Sequence, residues 1–127
     1  MVELRKHNRF KTLATAKIKG ISEGDTLLQD ISITGCLVEC TSYAGITVGK
    51  EYEMQIIPET ASEIGTFELS ADVKWMRTEN YSCNIGFAIV RSPKGKLFQR
   101  YVDYLSWRYS QGSSMTGSGI TEIPEQV

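Results

Sequence analysis

The sequence predicts a mainly β domain in which a small antiparallel barrel precedes a single C-terminal α-helix. Short segments of alternating apolar and polar residues follow one another with turn residues between them, which is typical of antiparallel sandwiches and barrels. Near the C-terminus the apolar period lengthens from two residues to nearly four, as expected for one amphipathic helix. A closed barrel is the economical arrangement of such strands, because closure leaves no unpaired strand edge.

Four segments carry the clearest strand patterns. The first runs from Leu13 to Lys19, and a second alternates from Glu51 to Ile56 before Pro58 ends it. The longest strand, TFELSADVKWM, is predicted to bury the face that carries Phe67, Leu69, Ala71, Val73 and Trp75. The last strand is NIGFAIV, and Gly86 within it marks a bulge or a close approach of another group to the backbone.

The C-terminal region changes to a helical pattern. Ser92 is a favourable N-cap residue and Pro93 suits the first helical position. The apolar residues form one stripe at four-residue steps: Leu97, Tyr101 and Leu105. We therefore predict a helix over about 93–109 that packs its apolar stripe on the barrel.

The composition fits one domain with a short segment at each end. The chain has 127 residues, of which 41% are hydrophobic and 23% charged, enough to bury a core. We predict a flexible basic arm over 1–12, the barrel with its helix over 13–109 and a disordered Ser/Gly-rich tail over 110–127. No apolar run approaches the roughly 20 residues of a membrane helix, so we expect no membrane insertion.

Charge and residue types exclude several classes of function. Lysine and arginine number 14 against 15 aspartate and glutamate, which argues against a general DNA- or RNA-binding protein. The odd number of cysteines (three) and the absence of a signal-peptide pattern favour a reducing, cytoplasmic setting. There is a single histidine and no recognisable catalytic or metal motif, so we expect neither an enzyme nor a bound metal or cofactor.

The densest charge lies in the arm, within ELRKHNRFKT. Two of its cations are arginines four positions apart, Arg5 and Arg9, and this spacing lets them converge on one ligand in a helical turn or in an extended strand. A guanidinium grips a phosphate, or the O6/N7 edge of guanine, at two points at once. On spacing alone the pattern is weak, and a solvated basic terminus is the alternative.

A second candidate feature is DISITG, from Asp30 to Gly35. The Asp30 carboxylate can accept hydrogen bonds from guanine N1–H and its exocyclic amine, and Ser32 can reach a phosphate or a base edge. Gly35 lets a ligand approach the backbone closely. The alternative is an Asx or ST turn, in which the same side chains satisfy local backbone groups.

Taken in order, an RxxxR arm, a strand and a D-x-S-x-x-G segment resemble the PilZ domain family. The residues that carry the resemblance are Arg5, Arg9, Asp30, Ser32 and Gly35. The strands around Trp75 and Gly86 and the C-terminal helix also agree, over about residues 4–109. The resemblance implies a six-stranded barrel that binds cyclic di-GMP, a bacterial second messenger. The two arginines would clamp guanine edges and phosphates, and the D-x-S-x-x-G residues would hold the ligand from the barrel surface.

Four further positions are expected to be accessory to this site: Leu4, Lys6, Trp75 and Gly86. Leu4 lies where the family often has a third arginine, and it favours one bound ligand molecule over two. Trp75 offers stacking or a cation–π contact, although its alternation with the preceding apolar residues favours a core position. Ligand binding is expected to order the arm and create a surface for a downstream protein partner in motility, biofilm or virulence control.

Two other hypotheses stay open at the level of sequence. In one, the barrel is a protein-interaction adaptor that needs no nucleotide, and the arm docks on an acidic partner. In the other, it is a small nucleic-acid-binding barrel with the arm on phosphates and aromatic residues on bases. The outward strand face that carries Glu68 and Asp72 argues against the second.

Overall fold

The computed structural model describes residues 8–21, 26–41, 45–93 and 95–116. Within them lie seven strands and one α-helix, with a short 3-10 helix (Thr60–Ser62) between the fifth and sixth strands. The strands are β1 (Phe10–Lys11), β2 (Thr15–Ile18), β3 (Thr26–Ile31), β4 (Gly35–Cys40), β5 (Glu51–Ile57), β6 (Phe67–Glu79) and β7 (Ser82–Arg91). The helix is α1 (Gly95–Thr116).

Six strands close into an antiparallel barrel. Their order is β3–β2–β5–β6–β7–β4, and β4 pairs back with β3. The extra strand β1 pairs with the later part of β3, where Phe10 lies opposite Ile31, whereas β2 pairs with its beginning. The predicted six-stranded barrel with one C-terminal helix is confirmed, and β1 shows that the end of the predicted arm belongs to the sheet.

The barrel interior is filled by the inward faces of these strands. In β5 the predicted alternation is confirmed, since Tyr52, Met54 and Ile56 are buried while the residues between them are exposed. The most deeply buried side chains of the other strands include Leu28, Ile31, Val38, Leu69, Val73 and Ile85. Each such side chain contributes about 1.5–3 kcal/mol when fully buried, so this core is the main source of stability.

The three cysteines lie in this core as free thiols. Cys36 and Cys40 of β4 and Cys83 of β7 are all buried. Burial raises the pKa of Cys36 to about 12 and that of Cys40 to about 11. Both thiols are therefore protonated at neutral pH, and they act as small apolar side chains.

The prediction that Trp75 lies in the core is wrong. Val73 lies opposite Phe87 and Trp75 lies opposite Gly86, so Lys74 is an extra residue in β6 that forms a β-bulge. The bulge reverses the alternation, because each inserted residue turns the following side chains to the other face. Trp75 consequently points outward, with 43% of its surface exposed.

Helix α1 packs its apolar stripe against the barrel, as predicted. The Phe67 ring of β6 contacts Phe98 and Tyr101, with ring centroids 5.8 and 5.9 Å away. The helix begins at Gly95, later than predicted, and the Ser92 hydroxyl donates to the Glu68 carbonyl oxygen (2.7 Å) instead of capping the helix.

The end of the helix also differs from the prediction. Helix α1 continues to Thr116, so the beginning of the predicted tail is helical, and residues 117–127 lie outside the described part. The apolar stripe ends at Leu105, and the segment SQGSSMT that follows Tyr109 carries no apolar period in the sequence. Within the described residues, no helix has the length and apolar character needed to cross a bilayer.

A polar cluster at Glu59 fixes α1 to the barrel. One carboxylate oxygen of Glu59 accepts from the Tyr101 hydroxyl (2.6 Å) and the other accepts from Arg108 (3.0 Å). Burial and the hydrogen bond to Glu59 raise the pKa of Tyr101, so this hydroxyl keeps its proton. Arg108 also donates to the Lys11 carbonyl oxygen (3.2 Å), which ties the helix to β1.

Candidate functional site

Arg9 contacts two other predicted site residues, Asp30 and Gly35, where β1, β3 and β4 meet. Nη1 of Arg9, just before β1, donates to Oδ1 of Asp30 at 3.2 Å, and the two side chains are only 28% and 16% exposed. Gly35 lies against the same guanidinium: an added Cβ would stand 3.2 Å from Arg9 Nη2 and 2.8 Å from the Phe87 carbonyl oxygen. Gly35 therefore allows both the strand pairing and the ion pair to form.

Ser32 shapes the turn between β3 and β4. Its hydroxyl oxygen accepts from the backbone N–H groups of Thr34 (3.1 Å) and Gly35 (3.2 Å), and its own N–H donates to the Gly35 carbonyl oxygen (2.8 Å). Only 1% of Ser32 is exposed. The turn interpretation of DISITG is thus confirmed for Ser32, which places Gly35 beside Arg9.

A row of residues runs from Asp30 across the outside of the barrel. Asp30 lies opposite Leu37, Leu37 opposite Gly86, and Gly86 opposite Trp75. Residues directly opposite each other in paired strands share a face of the sheet. This outer row therefore joins the Arg9–Asp30 pair to Trp75 over three strand spacings, about 14 Å along the sheet.

Trp75 lies on the backbone of Gly86. A Cβ at Gly86 would overlap the indole atoms Nε1 and Cε2, so only glycine leaves room for the ring. The prediction that Gly86 marks a close approach is confirmed, and the approaching group is an aromatic side chain. The Nε1, Cε2 and Cζ2 atoms of the indole lie closest to Gly86, and the Arg77 guanidinium lies over the ring at 5.6 Å from its centroid.

Three residues named from the sequence lie outside the described part of the chain. They are Leu4, Arg5 and Lys6. The convergence of Arg5 with Arg9 therefore stays a prediction, whereas Arg9 is in contact with Asp30 and Gly35.

The assembled groups suit recognition of a flat, anionic, hydrogen-bonding ligand. Arg9 supplies a planar set of N–H donors, and Asp30 supplies a carboxylate acceptor. Lys11 lies opposite Asp30 on the same face and adds a second cation. Trp75 adds an aromatic surface. A flat ligand can bind to such an open surface. A separate cleft of about 260 Å³, lined by Lys17, Gln55 and Glu68 among others, shares no residue with the outer row.

Among the residues that the structure describes, no group of three or more His, Cys, Asp or Glu is placed to hold a metal ion. The Cys36 thiol, which interacts electrostatically with Asp30 and Arg9, is fully buried and has a raised pKa, so it is not a nucleophile at neutral pH.

Sequence reasoning missed Arg77 and Leu37 as members of this surface. Arg77 follows Trp75 by two residues in a strand, and residues at this spacing lie on the same face of a sheet. This holds whether that face is the inside or the outside of the barrel. The available signal was thus the W-x-R spacing within β6. Leu37 carried no polar signal at all.

Comparisons with known proteins agree with this architecture. The sequence matches the family model of the PilZ domain over residues 3–105. Among solved structures, the chain is similar to the Bacillus subtilis inhibitor of motility, MotI/DgrA, with a TM-score of 0.70 and 19% identity. That match covers 87% of this chain and 53% of the other, so this chain spans about half its length, and at this identity the likeness shows the fold. A comparison with curated protein sequences gives no match. Since the family model covers most of the sequence, the chain belongs to the PilZ domain family.

Proposed function

We propose that this chain is a receptor for cyclic di-GMP that signals through a protein partner and has no catalytic activity. The PilZ family is a cyclic di-GMP-binding family. The observation that carries the proposal for this chain is that Arg9 contacts both Asp30 and Gly35, which lie in a separate part of the sequence. A guanidinium beside a carboxylate on an open surface complements the phosphates and the guanine edges of this ligand.

The ion pair prearranges both partners for a guanine. In the proposed complex the Asp30 carboxylate accepts from guanine N1–H and the exocyclic amine, while Arg9 donates to O6/N7 or to a phosphate. Arg9 meets Asp30 through Nη1, and its Nη2 lies next to Gly35, where no side chain shields it. Because neither side chain must leave the surface, little reorganisation opposes binding.

The Trp75 surface receives the second part of the ligand. Cyclic di-GMP has two guanines and two phosphates, so one molecule can use the Arg9–Asp30 pair and the indole of Trp75 together. Stacking of a base on an aromatic side chain contributes about 1–3 kcal/mol. Gly86 supports this function because its lack of a side chain leaves room for the indole against the sheet.

The arm supplies the remaining half of the clamp in this proposal. Arg5 joins Arg9 on the ligand, with Lys6 accessory, and the arm becomes ordered at an entropic cost that lowers the net affinity. With Leu4 before the first arginine, we expect one ligand molecule per chain. No metal or organic cofactor is required.

In this proposal, the conformational change caused by ligand binding is transmitted through β1 to helix α1. Arg9 is followed directly by β1, whose Lys11 carbonyl oxygen accepts from Arg108 and whose Phe10 ring lies 6.2 Å from the ring of Tyr109. Ordering the arm on the ligand thus changes the surface beside α1, where Trp107 is 58% exposed. A protein partner in the bacterial cytoplasm reads this surface, and the motility inhibitor among its structural neighbours favours motility control as the pathway.

Calorimetric titration of the full chain with cyclic di-GMP tests the proposal. We expect one molecule bound per chain and much weaker binding of GTP and linear pGpG, because neither supplies two guanines in the closed ring. Arg9→Ala should abolish most of the binding, and Arg91→Ala, which removes an arginine paired with Glu51 elsewhere, should not. No binding heat with wild type, or equal binding of all three nucleotides, contradicts the proposal.

The adaptor hypothesis makes the opposite prediction in a partner pull-down. The exposed aromatic residues of α1, Trp107 and Tyr109, are the observation that favours it. A partner captured equally with and without cyclic di-GMP, and equally by Asp30→Ala, would show that the barrel acts without the nucleotide.

A further inference from the structure

Arg77 holds a defined position next to the outer row. Its own row on the outside of the barrel is Leu27, Glu39, Asn84 and Arg77, one step along the strands from the row that ends in Trp75. The side chain turns back from there toward Trp75, so that Cζ lies 5.6 Å from the indole centroid. The Trp75 ring is thus in close contact with the Gly86 backbone and also has the Arg77 guanidinium over it.

The charge of Arg77 has no acidic partner among the described residues. The carboxylate of its own row, Glu39, is occupied by the Gln29 side-chain amide and by the Ser82 hydroxyl. Arg77 thus contacts the Trp75 ring, and its positive charge is not neutralised by an ion pair with a described residue. Both lie at the end of the outer row where the proposed ligand would place a base and a phosphate.

We propose that Arg77 is a further ligand-binding residue, which closes over the base that stacks on Trp75 and faces an adjacent phosphate. This inference rests on the proposed function. A guanidinium is planar and stacks on aromatic faces, so it can stack on a base as it now does on the indole. A base inserted between Trp75 and Arg77 gains a contact on each side.

In the alternative role, Arg77 competes with the base for the surface of the Trp75 ring. In that case Arg77 only covers Trp75 in the free protein, and the base must displace it. Charge favours the closing role, since the ligand brings two negative charges to an arginine that forms no ion pair with any described carboxylate. The two roles predict opposite effects of removing the side chain.

Fluorescence of Trp75 gives a direct test. The chain has two tryptophans, so Trp107→Phe leaves Trp75 as the only reporter, and Trp107 lies exposed on α1. In this background, cyclic di-GMP is titrated against Arg77→Ala, Arg77→Lys and Arg91→Ala. We expect Arg77→Ala to bind cyclic di-GMP about tenfold more weakly, because the variant loses both the stacking of the guanidinium on the base and the positive charge that faces the phosphate. Arg77→Lys, which keeps only the charge, should fall between, and Arg91→Ala should bind as the parent does.

The outcomes separate this inference from the proposed function. If the parent binds and Arg77→Ala binds equally or more tightly, Arg77 does not close over the base and the inference is wrong. If the parent does not bind cyclic di-GMP at all, the proposed function fails and the inference with it. Acrylamide quenching of Trp75 without ligand checks the starting geometry: it should increase in Arg77→Ala, and unchanged quenching would show that Arg77 does not cover the ring.

Discussion

The two ends of the outer row are built in different ways. At the motif end, Arg9, Asp30 and Gly35 are held by an ion pair, by a serine-organised turn and by close backbone contact. At the tryptophan end, Trp75 and Arg77 are side chains laid over one another on Gly86. The first end is fixed by the backbone and the second by flexible side chains. We therefore expect substitutions at the motif end to cost more, in both affinity and stability.

The largest effect is expected from removing the carboxylate at the motif end. Asp30→Ala should weaken cyclic di-GMP binding by about 2–3 kcal/mol, because it removes a charged acceptor and leaves Arg9 unpaired. Calorimetry measures the change, and Asp103→Ala on α1, where the carboxylate contacts Gln99, is the matched control. Equal losses in the two variants would mean that Asp30 has no specific role.

Gly35→Ala tests how rigid the motif end is. Its Cβ would meet the Phe87 carbonyl oxygen, a backbone atom that cannot move without disturbing the β4–β7 pairing. We expect a loss of about 2 kcal/mol in the free energy of unfolding, measured by urea denaturation. A variant as stable as wild type would show that β4 and β7 can separate at this point.

Gly86→Ala is the matched substitution at the tryptophan end. Here the overlapping atoms belong to the Trp75 side chain, which can swing outward into solvent. We expect a smaller loss of stability, about 1 kcal/mol, together with weaker ligand binding because the indole leaves the sheet surface. If Gly86→Ala costs more stability than Gly35→Ala, the distinction between a rigid end and a flexible end is wrong.

The sequence predicted the motif end better than the tryptophan end for a physical reason. Charged residues and glycines are recognisable in the sequence, and Arg9, Asp30 and Gly35 do come together in the fold. For Ser32 the sequence allowed either a ligand contact or a turn, and its burial and hydrogen bonds show the turn. The orientation of Trp75 depends on one inserted residue, Lys74, and a bulge leaves no mark in an alternating pattern. The end of α1 likewise left no signal in the sequence, because its polar continuation beyond Tyr109 has no apolar period.

At neutral pH the smallest effect is expected from the Cys36 thiol in the core beneath the motif end, because its ionisation affects stability only above about pH 9. The folded pKa of Cys36 is raised from 9.0 to about 12, by burial first and then by Asp30, so the folded state favours the neutral thiol. Below pH 9 the thiol is neutral in both the folded and the unfolded state, and its full contribution to the free energy of unfolding is present. That contribution decreases as the pH rises from 9 toward 12, because the unfolded thiol ionises first. Thermal unfolding should show a loss of stability above pH 9 that is less steep in Cys36→Ala. Identical slopes in the two proteins would contradict this assignment.

An NMR titration that correlates amide protons and nitrogens tests the central claim, that one cyclic di-GMP molecule contacts both ends of the outer row. We predict that saturating ligand shifts the amide signals of Asp30 and Gly35 and the indole N–H signal of Trp75 together, with a single affinity. Signals of Lys17 and Glu68, on the cleft away from the row, should stay in place. An absence of shifts, or shifts confined to that cleft, would contradict the account.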